Sequence, residues 1–255
     1  MLPRPSGLVT LLTDFGLQDP YVGILKGALL RASPKVQCVD ISHEIAPQDV
    51  AAAAFVTWTL VDRFPTGTVH VAVVDPGVGT SRRLLAVAAH ECYWLGPDNG
   101  LLAPLLGSDA AIDVRALDLE HLGIQPESRT FHGRDVLAPV AAWLAGGRYG
   151  FSALGPRLQD PVLLPSPLVG APRVVHVDRY GNLVTNLTGA SFAAAAGVKI
   201  AGREVPRHHT YGDVRAGELL AYVGSFGLVE IGKNGGSAAA ALDVQRGASV
   251  ALLPA

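Results

Sequence analysis

The stretch Val69-His70-Val71-Ala72-Val73-Val74-Asp75-Pro76-Gly77-Val78-Gly79-Thr80 sets the fold class. Its first half is a short apolar run that predicts a buried strand, and that strand runs straight into an acid and a glycine-relaxed loop. Upstream, Leu8 to Leu12 predicts a first strand, Tyr21 to Ser33 a helix, Val36 to Ile41 a strand and the alanine-rich Gln48 to Phe64 a second helix. Downstream, Leu84 to Ala89 and Glu91 to Leu95 continue the sheet. Asp135 to Ala145 predicts a helix that ends at Gly146-Gly147. Strands alternating with helices over about 150 residues predict an α/β domain of Rossmann-like type with a mainly parallel sheet. The polar motifs follow strands, at the edge where open α/β sheets bind ligands.

The pattern changes after residue 158. Pro161, Pro165, Pro167 and Pro172 crowd residues 159–172, which predicts a stiff linker between a domain at 1–158 and another at 173–255. Beyond it, Arg173 to Val177, Leu183 to Leu187, Leu219 to Val223, Leu228 to Gly232 and Ala248 to Leu253 are short apolar runs between Gly, Asn and Asp turns. They predict a small β-barrel, with Ala190 to Ala196 as its one helical segment.

Composition excludes several functions. The chain has 255 residues and a formal net charge of -2, so it carries no electrostatic footprint for nucleic acid. Charged residues are 16% and hydrophobic residues 49%, with a mean hydropathy of +0.32, which predicts apolar area buried between subunits or domains. Cys38 and Cys92 are too few and too far apart for a zinc site or a dithiol, so no metal is expected. No run reaches a membrane span and no leader is read at the N-terminus, so a cytoplasmic protein with no membrane partner is expected. There is no G-x-G-x-x-G and no P-loop, which argues against a dinucleotide or nucleoside-triphosphate site.

Five clusters can carry chemistry. Thr13-Asp14-Phe15-Gly16, with Asp19 and Tyr21, places a short carboxylate at a strand end, suited either to the vicinal hydroxyls of a ribose or to capping the helix that follows. Asp75 with Arg82 and Arg83 is either an acid–guanidinium pair across a glycine loop or a turn cap beside two solvated arginines. Thr130-Phe131-His132-Gly133-Arg134-Asp135 offers a histidine as base or water-orienting group, or a half-buried structural one. Asp178-Arg179-Tyr180-Gly181-Asn182 and Gly224-Ser225-Phe226-Gly227, with Lys233-Asn234-Gly235-Gly236, read as hairpin turns or as a set fit for an amino acid's ammonium and carboxylate.

In this order the clusters resemble the S-adenosyl-L-methionine hydroxide adenosyltransferases, relatives of the fluorinase and chlorinase enzymes. The resemblance spans nearly the whole chain: TDFGLQDPYVGILKG at 13–27, DISHEIAPQDV at 40–50, VDPGVGT at 74–80, GPDNG at 96–100, FHGRD at 131–135, DRYGN at 178–182 and the segment from Ser225 to Gly236. It implies hydrolysis of S-adenosyl-L-methionine to adenosine and L-methionine, with Asp75, Arg82 and His132 as catalytic residues and no cofactor. The binding set it implies is Asp14, Asp19, Tyr21, Gln48, Val78, Thr130 and Phe131 in the first domain. In the second it is Asp178, Asn182, Ser225, Phe226, Lys233, Asn234 and Gly235. Within this set Asp14 would hold the ribose, and Asp178 and Ser225 the methionine end. The resemblance also implies a homotrimer with each site between two subunits.

Two other readings are distinguishable. In the halogenase branch a tyrosine stands at the position of Asp75, a halide-holding serine at His132 and a tryptophan at Gln48, so a halogenase is disfavoured by resemblance. A non-catalytic sensor of adenosine or S-adenosylmethionine would bind without turnover.

Overall fold

The computed structural model describes residues 2–107 and 112–255. By internal contacts the chain divides into two units, Met1–Pro165 and Ser166–Ala255. The first contains β1 (Leu8–Thr13), α1 (Tyr21–Ala32), β2 (Gln37–Ser42), α2 (Val50–Thr59), β3 (Val69–Val73), β4 (Leu84–Ala89), β5 (Cys92–Pro97), β6 (Asp113–Ala116) and α3 (Ala138–Ala145). Six strands form one sheet in the order β2-β1-β3-β5-β4-β6. The β1–β2, β1–β3 and β3–β5 pairings are parallel, and β4 pairs antiparallel with β5 and β6.

Side-chain alternation builds three layers. Val9, Leu11, Val71, Val73 and Ala86 face one side of the sheet, where they are buried with Leu25 and Leu29 of α1 and Val140 and Leu144 of α3. Leu12, Ala72, Val74 and Val87 face the other side, with Trp94 and Ala53 of α2. Both faces are covered, which is why these strands read as near-continuous apolar runs, interrupted at Thr10 and His70, which bond to each other at 2.7 Å. On α1 the buried positions Val22, Leu25, Ala28 and Leu29 follow the helical period.

The connection from β2 to β3 passes from one side of β1 to the other, so the strand order reverses between β1 and β3. In register, Thr13 lies opposite Val73. Asp14 and Asp75, just past these paired ends, therefore share the crevice at the topological switch point, where doubly wound sheets bind ligands.

Three helix boundaries differ from expectation. α2 starts at Val50 because Gln48 holds a positive φ of 66° and Asp49 caps the helix, accepting from the Ala52 N–H at 2.9 Å. It ends at Thr59, before Asp62 turns with φ 58°. The helix expected from Asp135 starts earlier, as a π-helical turn over Gly133–Leu137 in which the Ala138 N–H donates to the Gly133 carbonyl. Pro139, the next residue, lacks the N–H that an α-turn there would use. In the second unit the expected Ala190–Ala196 helix is one turn, α4 (Gly189–Phe192), followed by the strand β9.

The rest of the second unit comprises β7 (Val174–Val177), β8 (Leu183–Thr188), β9 (Ala195–Ile200), β10 (Arg203–Pro206), β11 (Leu219–Val223), β12 (Leu228–Lys233), α5 (Ala238–Leu242) and β13 (Val250–Pro254). They form two antiparallel sheets, β10-β9-β13 and β11-β12-β8-β7. Their shared core includes Val174, Leu183, Phe192, Val198, Val205, Ala221 and Val229. Single bridges Arg173–Ser249 and Arg207–Ala221 run between the two sheets. Part of the Pro-rich segment is tied into the first unit, since the Val162 N–H donates to Asp98 (2.7 Å) and Asp160 pairs with Arg83 (2.9 Å). Among the described residues no helix is long and apolar enough to cross a membrane.

Candidate functional site

A cavity of about 600 Å³ opens at the switch point, lined by Asp14, Tyr21, Gln48, Asp75, Val78, Thr130, Phe131 and His132 and also by Phe15, Ser128 and Arg134. Strand ends supply the acids. Asp14 caps no helix: α1 begins after Pro20 with no side-chain cap, and Asp14 Oδ2 accepts from the Gln48 N–H at 2.8 Å. Phe15, Tyr21 and Phe131 meet edge to face, with ring centroids 5.6–6.2 Å apart, and form an apolar corner. Arg134 lies over the Phe131 ring at 5.1 Å while its Nε donates to Asp135 at 2.5 Å. Asp19 is exposed and lies outside this lining.

Asp75, Arg82 and His132 form one hydrogen-bonded set. Arg82 Nε donates to both Asp75 oxygens at 2.7 Å, and its Nη2 donates to Oδ2 as well. The same Nη2 lies 3.2 Å from His132 Nδ1. A guanidinium has no acceptor, so Nδ1 must accept, and the neutral imidazole carries its proton on Nε2. Burial, helped by the Arg82 charge, pushes the His132 pKa below its ordinary value against the opposing pull of Asp75 and Asp135. His132 is therefore neutral at pH 7. The Asp75 and Arg82 side chains are only 7% and 9% exposed, so this is an ion pair removed from water and not a turn cap beside a solvated arginine. Arg83 points elsewhere, to Asp98 at 2.7 Å and Asp160.

The loop between them needs its glycine. Gly79 has φ +81°, and a Cβ there would sit 2.8 Å from the Arg129 carbonyl oxygen. That contact joins the Asp75 loop to the segment leading into His132.

A second cavity, of about 710 Å³, lies in the second unit and is lined by Asp178, Asn182, Ser225, Lys233, Asn234 and Gly235, as well as Tyr180, Tyr211, Tyr222 and Glu230. Phe226 is outside this lining. Asp178 Oδ1 accepts from the Tyr180 and Asn182 N–H groups at 2.9 and 2.8 Å, and Asn182 Nδ2 donates to Oδ2 at 2.8 Å. Asn234 Nδ2 donates to the Tyr211 and Val214 carbonyls at 3.1 and 2.9 Å, so its amide holds a turn in place. Tyr211, Tyr222 and Glu230 carry no sequence motif; strand register brings Tyr222 opposite Glu230. Among the described residues no group of three or more His, Cys, Asp or Glu is placed to hold a metal ion.

Fold and site together define a protein of two units, an α/β unit with a cavity at its switch point and a β-rich unit with a cavity of its own. Residues 9–155 match the SAM hydroxide adenosyltransferase N-terminal domain and residues 172–251 the C-terminal domain of the same family, to which this chain belongs. It is 42% identical over 260 residues to the (R)-S-adenosyl-L-methionine hydrolase of Thermus thermophilus, covering 96% of this chain and 99% of that protein. A fluorinase from Nocardia brasiliensis is 28% identical, covering 95% of each. Among solved structures, an uncharacterized conserved protein from Thermotoga maritima superimposes with a TM-score of 0.87 at 32% identity, covering 96% of this chain and 99% of that one.

Proposed function

We propose that this protein hydrolyses S-adenosyl-L-methionine, with the (R) configuration at sulfur that the name of the Thermus relative carries, to adenosine and L-methionine. The observation that carries this reading is the hydrogen-bonded Asp75–Arg82–His132 set, in which Asp75 and His132 line the switch-point cavity and Arg82 bonds to both. Family membership supplies the substrate class.

The chemistry suits these residues. The electrophile is C5′ of a sulfonium, so water forms the new O–C5′ bond while the C5′–S electrons return to sulfur, and methionine leaves as a neutral thioether that needs no general acid. Arg82 stabilises negative character on the attacking oxygen, and Asp75 fixes the guanidinium plane. With Nδ1 engaged by Arg82, His132 orients the water through Nε2. The attacking water loses its proton to solvent as it takes on this hydroxide character, so formation of the O–C5′ bond leaves a neutral hydroxyl. Asp14 holds the ribose hydroxyls, with Tyr21, Gln48, Val78, Thr130 and Phe131 around the nucleoside. Asp178 and Ser225, with Phe226, take the methionine end, Asn182 and the 233–236 loop close on the methionine and the adenine, and Asp19 supports the mouth of α1. No cofactor takes part in these steps.

Two structural parts of the reading go with it. The bridges Arg173–Ser249 and Arg207–Ala221 link the edges of the two sheets and favour a closed β-barrel over residues 173–255, following a linker at 159–172 and an α/β domain at 1–158. Exposed Leu17, Ile24, Leu30 and Val39 on the first unit favour burial in a homotrimer whose sites are shared between subunits of a cytoplasmic enzyme.

The test is incubation of each sulfonium epimer in halide-free buffer, with products separated by mass. Adenosine and methionine in equal amounts are expected, along with their loss in His132→Ala. Tight binding with no product would favour a sensor, and 5′-chloro-5′-deoxyadenosine on adding chloride would favour a halogenase. A monomer by light scattering at micromolar concentration would remove the shared-site part.

A further inference from the structure

The cavity of the second unit holds a chain of side chains whose protons can be counted. Asn182 Nδ2 donates to Asp178 Oδ2, so its Oδ1 must be the acceptor of the Tyr211 hydroxyl, 2.9 Å away. Tyr211 has then spent its only proton. Its oxygen also lies 2.8 Å from Tyr222 Oη, so the proton in that contact comes from Tyr222. Tyr222 in turn lies 2.8 Å from Glu230 Oε2. With both phenol protons used, this last contact has a proton only if Glu230 supplies it. An ionised Glu230 would draw the Tyr222 proton to itself and leave two phenol oxygens facing each other with none between them.

The packing around the chain is close. A Cβ on Gly224 would sit 1.9 Å from Glu230 Oε1, and one on Gly232 would sit 2.8 Å from Tyr211 Oη and 3.1 Å from Asn182 Oδ1. Both glycines keep space for these polar groups, and Glu230 is 7% exposed.

We propose that Glu230 is a positioning residue, held as the neutral acid at the head of the chain Glu230–Tyr222–Tyr211–Asn182–Asp178. In that state it fixes the Asp178 carboxylate to receive the α-ammonium of an amino-acid ligand and keeps a second negative charge away from that ligand's α-carboxylate. The proposal rests on the reading of this cavity as the methionine end of the substrate site. Burial, together with the nearby Asp178 charge, raises the Glu230 pKa against the opposing Tyr222 contact. The titratable groups sharing the cavity are Asp178, Tyr180, Tyr211, Tyr222 and Lys233. On the neighbouring strands Glu230 faces Tyr222 of β11 and apolar Val184 of β8.

Infrared spectroscopy of the ligand-free protein at pH 7 tests the protonation state without reference to hydrolysis. A protonated-carboxyl carbonyl band is expected, absent in Glu230→Gln and shifted in Tyr222→Phe. Absence of the band in the parent overturns the proposal whatever the enzyme does. In the hydrolysis assay, KM for S-adenosylmethionine should rise about tenfold as the protonated-carboxyl band is lost with rising pH, the scale of one lost hydrogen bond to a charged group, with kcat unchanged. Glu230→Gln, whose amide donates at every pH, should hold KM low across that range. A parent-like KM rise in Glu230→Gln would also overturn the assignment. If that variant fails to fold, the pH titration of the parent band, assigned through Tyr222→Phe, decides the question. No hydrolysis with the band present would instead be a failure of the functional reading alone.

Discussion

The two cavities bury acids in opposite ways. In the first unit Asp75 is neutralised by a fixed cation, with Arg82 donating through two nitrogens in a site withdrawn from water. In the second, Glu230 meets a phenol in a cavity that it shares with another acid, Asp178, and with Lys233, and the count of hydrogen-bond protons assigns it a proton of its own. A buried carboxylate is costly unless paired, and these are its two remedies. Arginine keeps its charge at any accessible pH, so the first cavity holds one electrostatic state, fit for stabilising charge in a reaction. A proton comes and goes, so the second cavity suits recognition of a ligand with both ammonium and carboxylate.

The sharpest way to break this contrast is Arg82→Ala. It leaves Asp75 buried and unpaired, so it should cost on the order of 3–5 kcal/mol of stability in denaturant unfolding. Turnover should fall at least about 100-fold, the scale of losing one preorganised charge donor. Arg82→Lys should not restore it, because an ammonium cannot reproduce the planar fork. Parent-like stability in Arg82→Ala would mean that the pair is not the closed unit described.

A smaller effect is expected at His132. His132→Ala should lower turnover about 100-fold while moving stability by less than about 1 kcal/mol. Because burial and the Arg82 charge depress its pKa from 6.5, the parent's rate should be flat through neutral pH. It should fall only on acidification below the ordinary histidine range, when a protonated Nδ1 confronts an Arg82 N–H. The sign for stability is the same: the contribution is full above the unfolded pKa and is lost as pH falls through the folded one. A pH–rate profile whose acid limb sits at or above 6.5 would contradict this.

The smallest effect belongs to the neutral chain. Tyr211→Phe removes the hydroxyl that donates to Asn182 and accepts from Tyr222, two links between uncharged groups, and should cost about 2 kcal/mol, with a several-fold rise in KM and kcat within about twofold. Thermal unfolding and steady-state kinetics measure both. A kcat loss as large as that of His132→Ala would erase the distinction between the two cavities.

Much of the first unit was legible because β1, β3, β4 and β5 are buried and their sequences are mostly apolar, with the buried polar pair Thr10 and His70 bonded to each other at 2.7 Å. β6, β9 and β10 were not. Their runs are short or mixed, and in β9 the alanines favour a helix, a preference overridden by pairing with β10 and β13. At the site, Asp14, Asp75 and His132 stood out because each adjoins a strand end or a turn motif. The choice between Asp14 as ligand group and as helix cap could not be made from spacing, since the carboxylate's partner is the Gln48 amide, 34 residues away.

The sequence by itself determined the alternation of strands and helices, the second β-rich region and the family, because local periodicity and ordered motifs are properties of the chain. Only the tertiary structure decided that Arg82 donates to Asp75 through two nitrogens, that His132 presents Nδ1 to that arginine, and that Tyr211, Tyr222 and Glu230 join Asn182. Those contacts join residues 7 to 50 positions apart. Their partners are fixed by strand register and loop packing, and one residue of slip would turn each side chain to the opposite face.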